Sequence, residues 1–498
     1  PPDLPPFTMI SCIELSPFEP GTAYVAATRY KHDDYRPYLF KTSDYGASWT
    51  RIDQGIREDD FTRVIRCDPV RKALLYAGTE TGLYVSLDDG ASWHPFQLNL
   101  PVAPIYDLLV KDTDLIAGTH GRSIWILDDL TPLRELPDAL DGPYLVQPRP
   151  TIRPLTGVDW SNAGPGRNYI GSIGGAFDMV KNADGELVRK DLDVGTNPPK
   201  GAIIGYYLPE EPAKPITLRI TDAEGYLVRE LRSKPAPAGA QADGDGSSPE
   251  AAPAEGEGAG EAAAEPEADE KAPRLPAKAG WNRFIWDLRH APATRIEGND
   301  PMTEIELTGP RVAPGTYTLT LTVGDRELTR QLTVVKEPAI ATSDADLAAQ
   351  ADLALRIHRT IDETCRAINR MRDLRAQLDG WAKRAKGLPN GAPVAEAAAA
   401  LRDGVLEIEK TLLVPDLRPG WADNLNHGVR LLGKITSLPP VVELGDYKPT
   451  AAAEAVYAEL RAQIGAQIER FNALIERELP ALNSRIAELG AGAVVARP

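Results

Sequence analysis

Two short polar stretches of the chain carry residue types that could do chemistry. The first reads Thr-His-Gly-Arg-Ser and places His120 two residues before Arg122. An arginine can hold a carboxylate through two N–H groups, and a histidine can transfer a proton near neutral pH. The same residues also suit a plain turn, in which Arg122 pairs with a neighbouring acid and His120 caps a strand. Both interpretations stay open from the sequence.

The second stretch contains two adjacent carboxylates, Asp59 and Asp60. Glycoside hydrolysis uses two carboxyl groups about 5 to 10 Å apart, so this pair could supply an acid and a base or nucleophile. The weak candidates for catalysis are therefore Asp59, Asp60, His120 and Arg122. No sequence feature sets a distance between the two carboxyl groups, and a solvated loop explains the pair equally well.

A segment at residues 30–37, Tyr-Lys-His-Asp-Asp-Tyr-Arg-Pro, mixes polar and aromatic side chains. This composition suits contact with a sugar or a peptide, although a solvated loop has the same composition. The candidate binding residues are His32, Asp34, Tyr35, Arg36, Glu80, His120 and Arg122.

These candidates lie between copies of a repeated unit. Residues 42–49 and 86–93 both read [Ser/Thr]-x-Asp-x-Gly-x-x-Trp. Residues 115–130 contain a weaker copy, in which Leu130 replaces the glycine and no closing tryptophan follows. A unit that recurs about every 40 residues indicates a propeller or a similar repeat array.

The repeated motif has a folding role of its own. Its Asp can accept hydrogen bonds in a tight turn, its Gly supplies an unusual backbone conformation, and its Trp can pack onto the sheet. The repeat resembles the Asp-box (BNR) β-propellers, which include sialidases, xyloglucanase-type glycosidases, sortilin-like receptors and bacterial proteins loosely called glycosyl hydrolases. The resemblance implies that the motif residues are structural and lie away from the active face. These structural residues are Asp44, Gly46, Trp49, Asp88, Gly90 and Trp93.

The repeats predict about three antiparallel meanders, or blades, within residues 1–137. Successive turns of a meander alternate between its two ends, and the Asp box joins the third strand to the fourth. The turns between the second and third strands must then lie at the opposite end, with the connections between meanders. That end should carry segment 30–37, Glu80 and residues 120–123, and in propellers of this kind it usually holds the binding site.

Three blades are too few for a closed propeller, which typically has about four to eight. We therefore expect residues 1–137 to be the C-terminal blades of an Asp-box propeller. The remaining blades would come from a missing N-terminal segment or from another chain. The resemblance also implies a secreted or periplasmic protein whose signal peptide is not in this chain.

The rest of the chain predicts further domains. Residues 138–200 are predicted as an extended connector, and residues 201–336 as a β-sandwich, since strand-like alternation recurs there. Residues 281–289 and 314–325 resemble the immunoglobulin-like accessory domains of secreted bacterial proteins, which implies an immunoglobulin-like sandwich. An insertion at residues 235–273 consists almost entirely of Ala, Gly, Pro, Glu, Asp and Ser, and is expected to be disordered. Residues 342–490 show helical periodicity and predict an antiparallel helical bundle. The predicted fold class is thus multidomain, mainly β and then α.

Composition excludes several function classes. The net charge of −17 argues against a nucleic-acid partner. The three cysteines are widely spaced and form no metal or disulfide pattern, so no metal and no cofactor is expected. No apolar stretch reaches the length of about 18 residues that suggests a membrane span. The favoured function is binding of an extracellular glycan or peptide; the alternatives are a sialidase-like or xyloglucanase-like glycoside hydrolase, and a structural assembly module that oligomerises through the helical bundle.

Overall fold

A computed structural model shows how these segments fold. It describes residues 1, 4–137, 140–154, 166–169, 176–181, 187–192, 195, 198–234, 273–297, 307–415, 427–490, 492 and 494. The chain divides into two compact units, and the first comprises Pro1–Arg149, Ile204–Glu210 and Ala279–Arg283. The second comprises the remaining residues. Apart from Pro273, the predicted disordered insertion lies outside the described residues.

The first unit begins with three antiparallel meanders, each with its strands in chain order. The first sheet contains β1 (Met9–Leu15), β2 (Ala23–Arg29), β3 (Asp34–Thr42) and β4 (Thr50–Arg51). The second sheet contains β5 (Thr62–Cys67), β6 (Leu75–Thr79), β7 (Leu83–Ser86) and β8 (His94–Pro95). The third sheet contains β9 (Ile105–Lys111), β10 (Asp114–Thr119) and β11 (Ile124–Leu127). The repeats therefore fold as the antiparallel meanders that their spacing predicts.

The three sheets pack face to face, because central strands such as β2, β6 and β7 carry buried residues on both faces. Tyr24, Ala26 and Leu39 of the first sheet meet Ile65, Leu75, Ala77 and Tyr84 of the second. The opposite face of the second sheet, with Val64, Tyr76, Leu83 and Val85, meets Ile105, Leu108, Leu115 and Ala117 of the third.

The Asp-box carboxylates hold the turns that follow β3 and β7. Asp44 accepts hydrogen bonds from the backbone N–H and the hydroxyl of Ser48, at 2.8 and 2.6 Å. Asp88 accepts the corresponding bonds from Ser92, at 2.9 and 2.6 Å. The two turns are thus closed by the same local hydrogen bonds, which is the behaviour of a turn-forming Asp.

The glycine and tryptophan of each box complete the turn. Gly46 and Gly90 have φ angles of 88° and 87°, which favour glycine. Trp93 is 2% exposed, and its indole N–H donates to the Ile52 carbonyl of the first sheet. Trp49 packs against the other face of the first sheet. Each tryptophan therefore fixes its turn to a sheet.

The strands that follow the meanders form three further sheets. In chain order they are β12 (Tyr144–Leu145), β13 (Thr151–Ile152), β14 (Gly166–Tyr169), β15 (Ala176–Lys181), β16 (Leu187–Asp191), β17 (Ala202–Leu208), β18 (Thr217–Thr221), β19 (Leu227–Arg232), β20 (Gly280–Trp286), β21 (Gly315–Val323) and β22 (Arg326–Val335). Their orders are β12-β17-β20, β14-β15-β16 and β13-β22-β21-β18-β19. Strands thus occur within the region predicted as an extended connector.

The C-terminal part of the second unit is helical, as its periodicity predicts. A short helix α1 (Thr131–Glu135) follows the third sheet, and the C-terminal helices are α2 (Asp344–Ala385), α3 (Ala392–Leu412), α4 (Leu431–Thr436), α5 (Leu438–Val442) and α6 (Ala451–Glu488). The Ser343 hydroxyl caps α2 by accepting from the N–H of Asp346. Pro480 lies inside α6, which continues through it. Helix α4 begins at Leu431, and residues 416–426 lie outside the described range. Over the described residues, no helix combines the length and apolarity required to cross a bilayer.

Candidate functional site

One end of the three meanders carries the turns β2–β3, β6–β7 and β10–β11, together with the connections from one sheet to the next. We call this end the turn face; the Asp-box turns lie at the other end, since successive turns of a meander alternate. The turn face contains segment 30–37, Glu80 and His120, as the repeat register predicts. Three residues that the sequence did not single out, Phe61, Arg63 and Tyr106, lie there too.

A β-bulge occurs at the same place in the first strand of each meander. The register shifts between Ile10 and Cys12 in β1, and between Thr62 and Val64 in β5. In the third sheet, Gly118 pairs with Asp107 and Thr119 with Ile105, which leaves Tyr106 as the extra residue of β9. Bulges redirect side chains and are enriched next to active sites.

The bulge residues Arg63 and Tyr106 meet at the centre of the turn face. The Arg63 guanidinium lies 4.2 Å from the centroid of the Tyr106 ring. It also lies 4.9 Å from the centroid of Phe61 and 5.6 Å from that of Tyr30. Such distances are typical of cation–π contacts. Arg63 therefore connects aromatic rings from all three meanders.

Glu80 holds this arginine in place from the β6–β7 turn. The Arg63 Nε donates to Glu80 Oε2 at 2.7 Å. The Arg63 side chain is only 12% exposed, so the guanidinium of this ion pair is largely shielded from solvent. Because the carboxylate is engaged by the guanidinium, Glu80 acts in this arrangement as a positioning residue for Arg63.

Further rings extend the cluster outward. His120 stacks on Tyr106 with 5.1 Å between centroids, and Tyr30 stacks on Phe61 at 5.0 Å. Tyr35 lies 6.1 Å from Phe61. Tyr106 is 51% exposed and Tyr35 is 47% exposed, so their rings are accessible to a ligand. We call Tyr30, Tyr35, Phe61, Arg63, Glu80, Tyr106 and His120 the Arg63 cluster.

Segment 30–37 begins as a short 3₁₀ turn, Tyr30–His32, and then enters β3. In it, Asp34 accepts two hydrogen bonds from the Arg36 guanidinium, both at 2.9 Å, and one from the Tyr38 hydroxyl. The Arg36 hydrogen bonds hold the pKa of the Asp34 carboxyl well below its usual range. His32 stacks on Phe7 instead of joining the Arg63 cluster. Of the predicted binding residues of this segment, Asp34 and Arg36 thus form a separate ion pair, only Tyr35 belongs to the cluster, and His32 belongs to neither.

Asp59 and Asp60 occupy different surroundings, although they are adjacent. Asp59 is exposed and pairs with Arg57, whose hydrogen bond lowers its pKa. Asp60 is fully buried and accepts hydrogen bonds from Thr79 and Thr81. A buried carboxylate with these partners holds the β6–β7 turn, and it is not accessible to a substrate. Burial therefore corrects both sequence-based interpretations of Asp60, as a weak catalytic candidate and as a solvated loop residue.

Arg122 projects from the β10–β11 turn and is exposed. Its carbonyl accepts a hydrogen bond from the Trp125 indole at 2.7 Å, which orients the turn. The His120 backbone N–H donates to the Pro104 carbonyl, so the turn is tied to the connection before β9. Of the two residues singled out in this turn, His120 is the one with a ring contact in the cluster.

A second polar group joins the first strands of the three meanders. Arg66 of β5 lies between Glu14 of β1 and Asp107 of β9, at 3.4 and 2.7 Å from their carboxylate oxygens. Burial raises the pKa of Glu14 above its ordinary value, against the lowering effect of Arg66. Asp107 is largely exposed. Arg66 thus links a partly buried carboxyl group of the first meander to an exposed carboxylate of the third.

No group of three or more metal-ligating side chains occurs among the residues that the structure describes. The three cysteines are free thiols. Burial raises the pKa of the Cys67 thiol to about 12, so Cys67 is a buried apolar residue and not a nucleophile at neutral pH.

Comparisons with known proteins give a limited result. No protein-family model and no curated protein matches the sequence. Solved structures that match include YCF48 bound to D1 peptide, at 14% identity over 24% of this chain and 37% of that chain, with a TM-score of 0.19. The GH74 enzyme of Niastella koreensis matches at 16% identity over 39% of this chain and 33% of its own, with a TM-score of 0.20.

A GH74 xyloglucanase from Xanthomonas campestris matches at 17% identity over 46% of this chain and 31% of that one, with a TM-score of 0.21. The chain thus spans about a third of the length of each of these three structures. At such TM-scores the likeness supports no conclusion about this chain, so its function has to be argued from the site.

Proposed function

We propose that the three meanders are blades of an Asp-box propeller and that the turn face binds an extracellular glycan or peptide. The observation that carries this proposal is the Arg63 cluster. Rings from three successive repeats, Tyr30, Phe61 and Tyr106, converge on one arginine. Tyr106 and the neighbouring Tyr35, which packs on Phe61, remain half exposed. A flat ring of this kind stacks on the apolar face of a sugar or on a peptide side chain.

The charges around the cluster favour binding over catalysis. Glu80 is engaged by Arg63, and the Arg36 hydrogen bonds hold the pKa of the Asp34 carboxyl well below its usual range, opposite to the shift that a general acid needs. The bulges at Arg63 and Tyr106 place these side chains at a defined site, and the stacked rings fix their orientation. A site fixed in this way before binding loses little conformational entropy when a ligand docks.

The test is retention of the full chain on an immobilised array of glycans and peptides. The informative variant is Tyr106→Ala, because Tyr106 is 51% exposed within the cluster. Tyr45→Ala is the matched control, since Tyr45 is 83% exposed in the Asp-box turn at the other end. We expect wild type and Tyr45→Ala to be retained by the same array members, and Tyr106→Ala to be lost from them. Equal retention of all three proteins would refute the proposal.

Glycoside hydrolysis is the second candidate, and the pair formed by Glu14 and Asp107 is the observation in its favour. Burial raises the pKa of Glu14, which is the direction that a general acid requires, and Asp107 is exposed on the other side of Arg66. The test is hydrolysis of a panel of polysaccharides and sialosides. Turnover by the wild type that is lost in both Glu14→Gln and Asp107→Asn would establish this activity. Absence of turnover in wild type would leave the binding function alone.

A further inference from the structure

The third meander lacks the fourth strand that the first two possess. Strands β4 and β8 lie outside β3 and β7, and pair with them antiparallel. In the part of the chain that the structure describes, no strand pairs with the outer edge of β11. The repeat shows the same deficit, because no closing tryptophan follows Asp128. An edge strand without a partner presents free N–H and C=O groups to an added strand.

In the second meander, the segment that ends in the fourth strand has two functions. Trp93, just before β8, fills the space between the first and second sheets, and its indole N–H donates to the Ile52 carbonyl. The backbone then pairs with β7, where the Phe96 N–H donates to the Leu83 carbonyl at 2.8 Å. Pro95 lies between these contacts and has no backbone N–H. Pairing with β7 therefore does not require an N–H donor at this position.

The corresponding space beside β11 is an apolar groove. It lies between the second and third sheets and is lined by Leu83, Phe96, Leu100, Trp125 and Leu127. Phe96 is the counterpart in the second repeat of Ile52 in the first. The Phe96 N–H donates to the Leu83 carbonyl of β7, and the Ile52 N–H donates to the Leu39 carbonyl of β3. The Phe96 carbonyl therefore stands where an indole N–H in this groove could reach it.

We propose that the edge of β11 binds an extended segment of another polypeptide, which adds as a fourth strand and places a tryptophan in this groove. The segment runs antiparallel to β11, as β4 and β8 do to their neighbours. Its first residues then lie near Asp128 and Asp129, and its last residues near His120 and Arg122. Charge complementarity selects a basic residue before the tryptophan and an acidic residue at the end of the strand.

The pairing mode is β-strand addition, in which main-chain hydrogen bonds provide affinity and side-chain pockets provide specificity. Two features make β11 receptive. Trp125 and Leu127 face the groove, and Ile124 and Ile126 are exposed on the other face. An added strand would cover apolar surface on both sides of the sheet. One end of this site adjoins His120 of the Arg63 cluster, but strand addition to β11 does not depend on the function proposed for that cluster.

The probe is the peptide acetyl-Lys-Ser-Trp-Thr-Val-Ile-Glu-amide, whose sequence follows the pattern of the segment that enters β4. By analogy with Ile52 and Phe96, the N–H of its isoleucine faces β11, and the N–H of its valine faces away, as Pro95 does. Methylation of the isoleucine nitrogen should weaken binding to the full chain about tenfold or more, because it removes an interstrand hydrogen bond. Methylation of the valine nitrogen is the matched control and should leave the affinity unchanged.

Hydrogen exchange of those β11 amides that point away from β10, towards the free edge, provides the location. We expect these amides to exchange fast in the free chain and slowly with the probe bound, and replacement of the probe tryptophan by alanine to abolish the protection. All variants are made in the peptide, so the fold of the protein is not a variable. The proposal is overturned if the amides are already slow in the free chain, if no binding occurs at millimolar probe, or if the two methylated peptides bind equally.

Discussion

Asp59 and Asp60 show how strongly the surroundings of a side chain decide its role. The Asp60 carboxylate is buried and accepts hydrogen bonds from both the N–H and the hydroxyl of Thr81. It also accepts from the hydroxyls of Thr79 and, at 3.3 Å, Tyr84. Asp59 instead pairs in solvent with Arg57. The two residues are of the same type and adjacent in the sequence, so only the fold makes their surroundings different.

Replacement of Asp60 by alanine should therefore destabilise the first unit by about 3 kcal/mol, because it leaves several buried donors without an acceptor. Asp59→Ala should leave the stability unchanged, since its carboxylate and its partner are solvated. Urea unfolding followed by near-UV circular dichroism compares the two variants with wild type. A similar loss of stability in both would show that the burial of Asp60 has no energetic role.

Part of the Arg63 cluster follows from the sequence, and the rest does not for a physical reason. Glu80 and His120 are predicted at the turn face because the turns of a meander alternate between its ends. Arg63 and Tyr106 escape prediction because each is the extra residue of a β-bulge, and a bulge has no signature in the alternation of a strand. Arg63 and Tyr106 also belong to different repeats and lie 43 residues apart in the chain.

At the level of elements, the hairpins of the second and third meanders differ by one residue in register. Gly78 pairs with Leu83, whereas Gly118 pairs with Ile124. The 40-residue spacing of Asp88 and Asp128 conceals this shift, because the β10–β11 turn takes one residue more and β11 begins one residue later. A repeat period read from the sequence therefore gives the order of the strands but not their register.

The helices α2 and α3 are joined by a buried ion triad that their apolar periodicity did not reveal. Glu409 of α3 is fully buried, with Arg372 Nε at 3.0 Å and the Arg375 guanidinium on its other oxygen. Removing one member of a buried group leaves the others uncompensated. This triad should therefore be more sensitive to substitution than the apolar residues around it suggest.

We expect Glu409→Ala to lower the free energy of unfolding of the helical region by about 3 kcal/mol. Glu407→Ala is the control on the same helix, because Glu407 is 62% exposed and pairs only with Lys410 in the described contacts. Its effect should be about 0.5 kcal/mol or less. Thermal unfolding followed at 222 nm measures both. A Glu409→Ala protein as stable as the control would contradict the importance of the triad.

His290, which follows β20, makes the second unit sensitive to acid. Burial lowers its pKa to about 4, and the nearby His358 and Arg359 act in the same direction, while Asp222 opposes them. The ordinary pKa is 6.5, so the unfolded chain binds a proton that the folded protein resists. Between pH 6.5 and pH 4 the unfolded state therefore holds more protons, and stability falls as the pH falls.

From pH 8 to pH 5, His290 alone should remove about 2 kcal/mol of stability. His290→Gln should show a smaller loss over the same range, with the effect of His358, whose pKa burial also lowers, still present. Unfolding curves at the two pH values for both proteins test this. Identical pH dependence of wild type and variant would mean that His290 does not titrate in the expected range.

For the molecule as a whole, the sequence predicted the order of the β-rich and helical regions better than the individual strands within them. The antiparallel meanders and the C-terminal helices follow from strong local periodicity, which survives in any surroundings. The strands β14 to β16 lie in a glycine-rich region without clear alternation, and their pairing depends on contacts that no local pattern records. The immunoglobulin-like sandwich and the closure of the propeller remain predictions.

The binding surface of the molecule is, on this proposal, the end of the meanders that bears the Arg63 cluster. Hydrogen exchange of the full chain, with and without the ligand that the array identifies, tests it directly. We predict slower exchange in residues 30–37, 80–82 and 120–123, and unchanged exchange in the Asp-box turns 43–48 and 87–92. Protection of the Asp-box turns, with the turn face unaffected, would contradict the proposal.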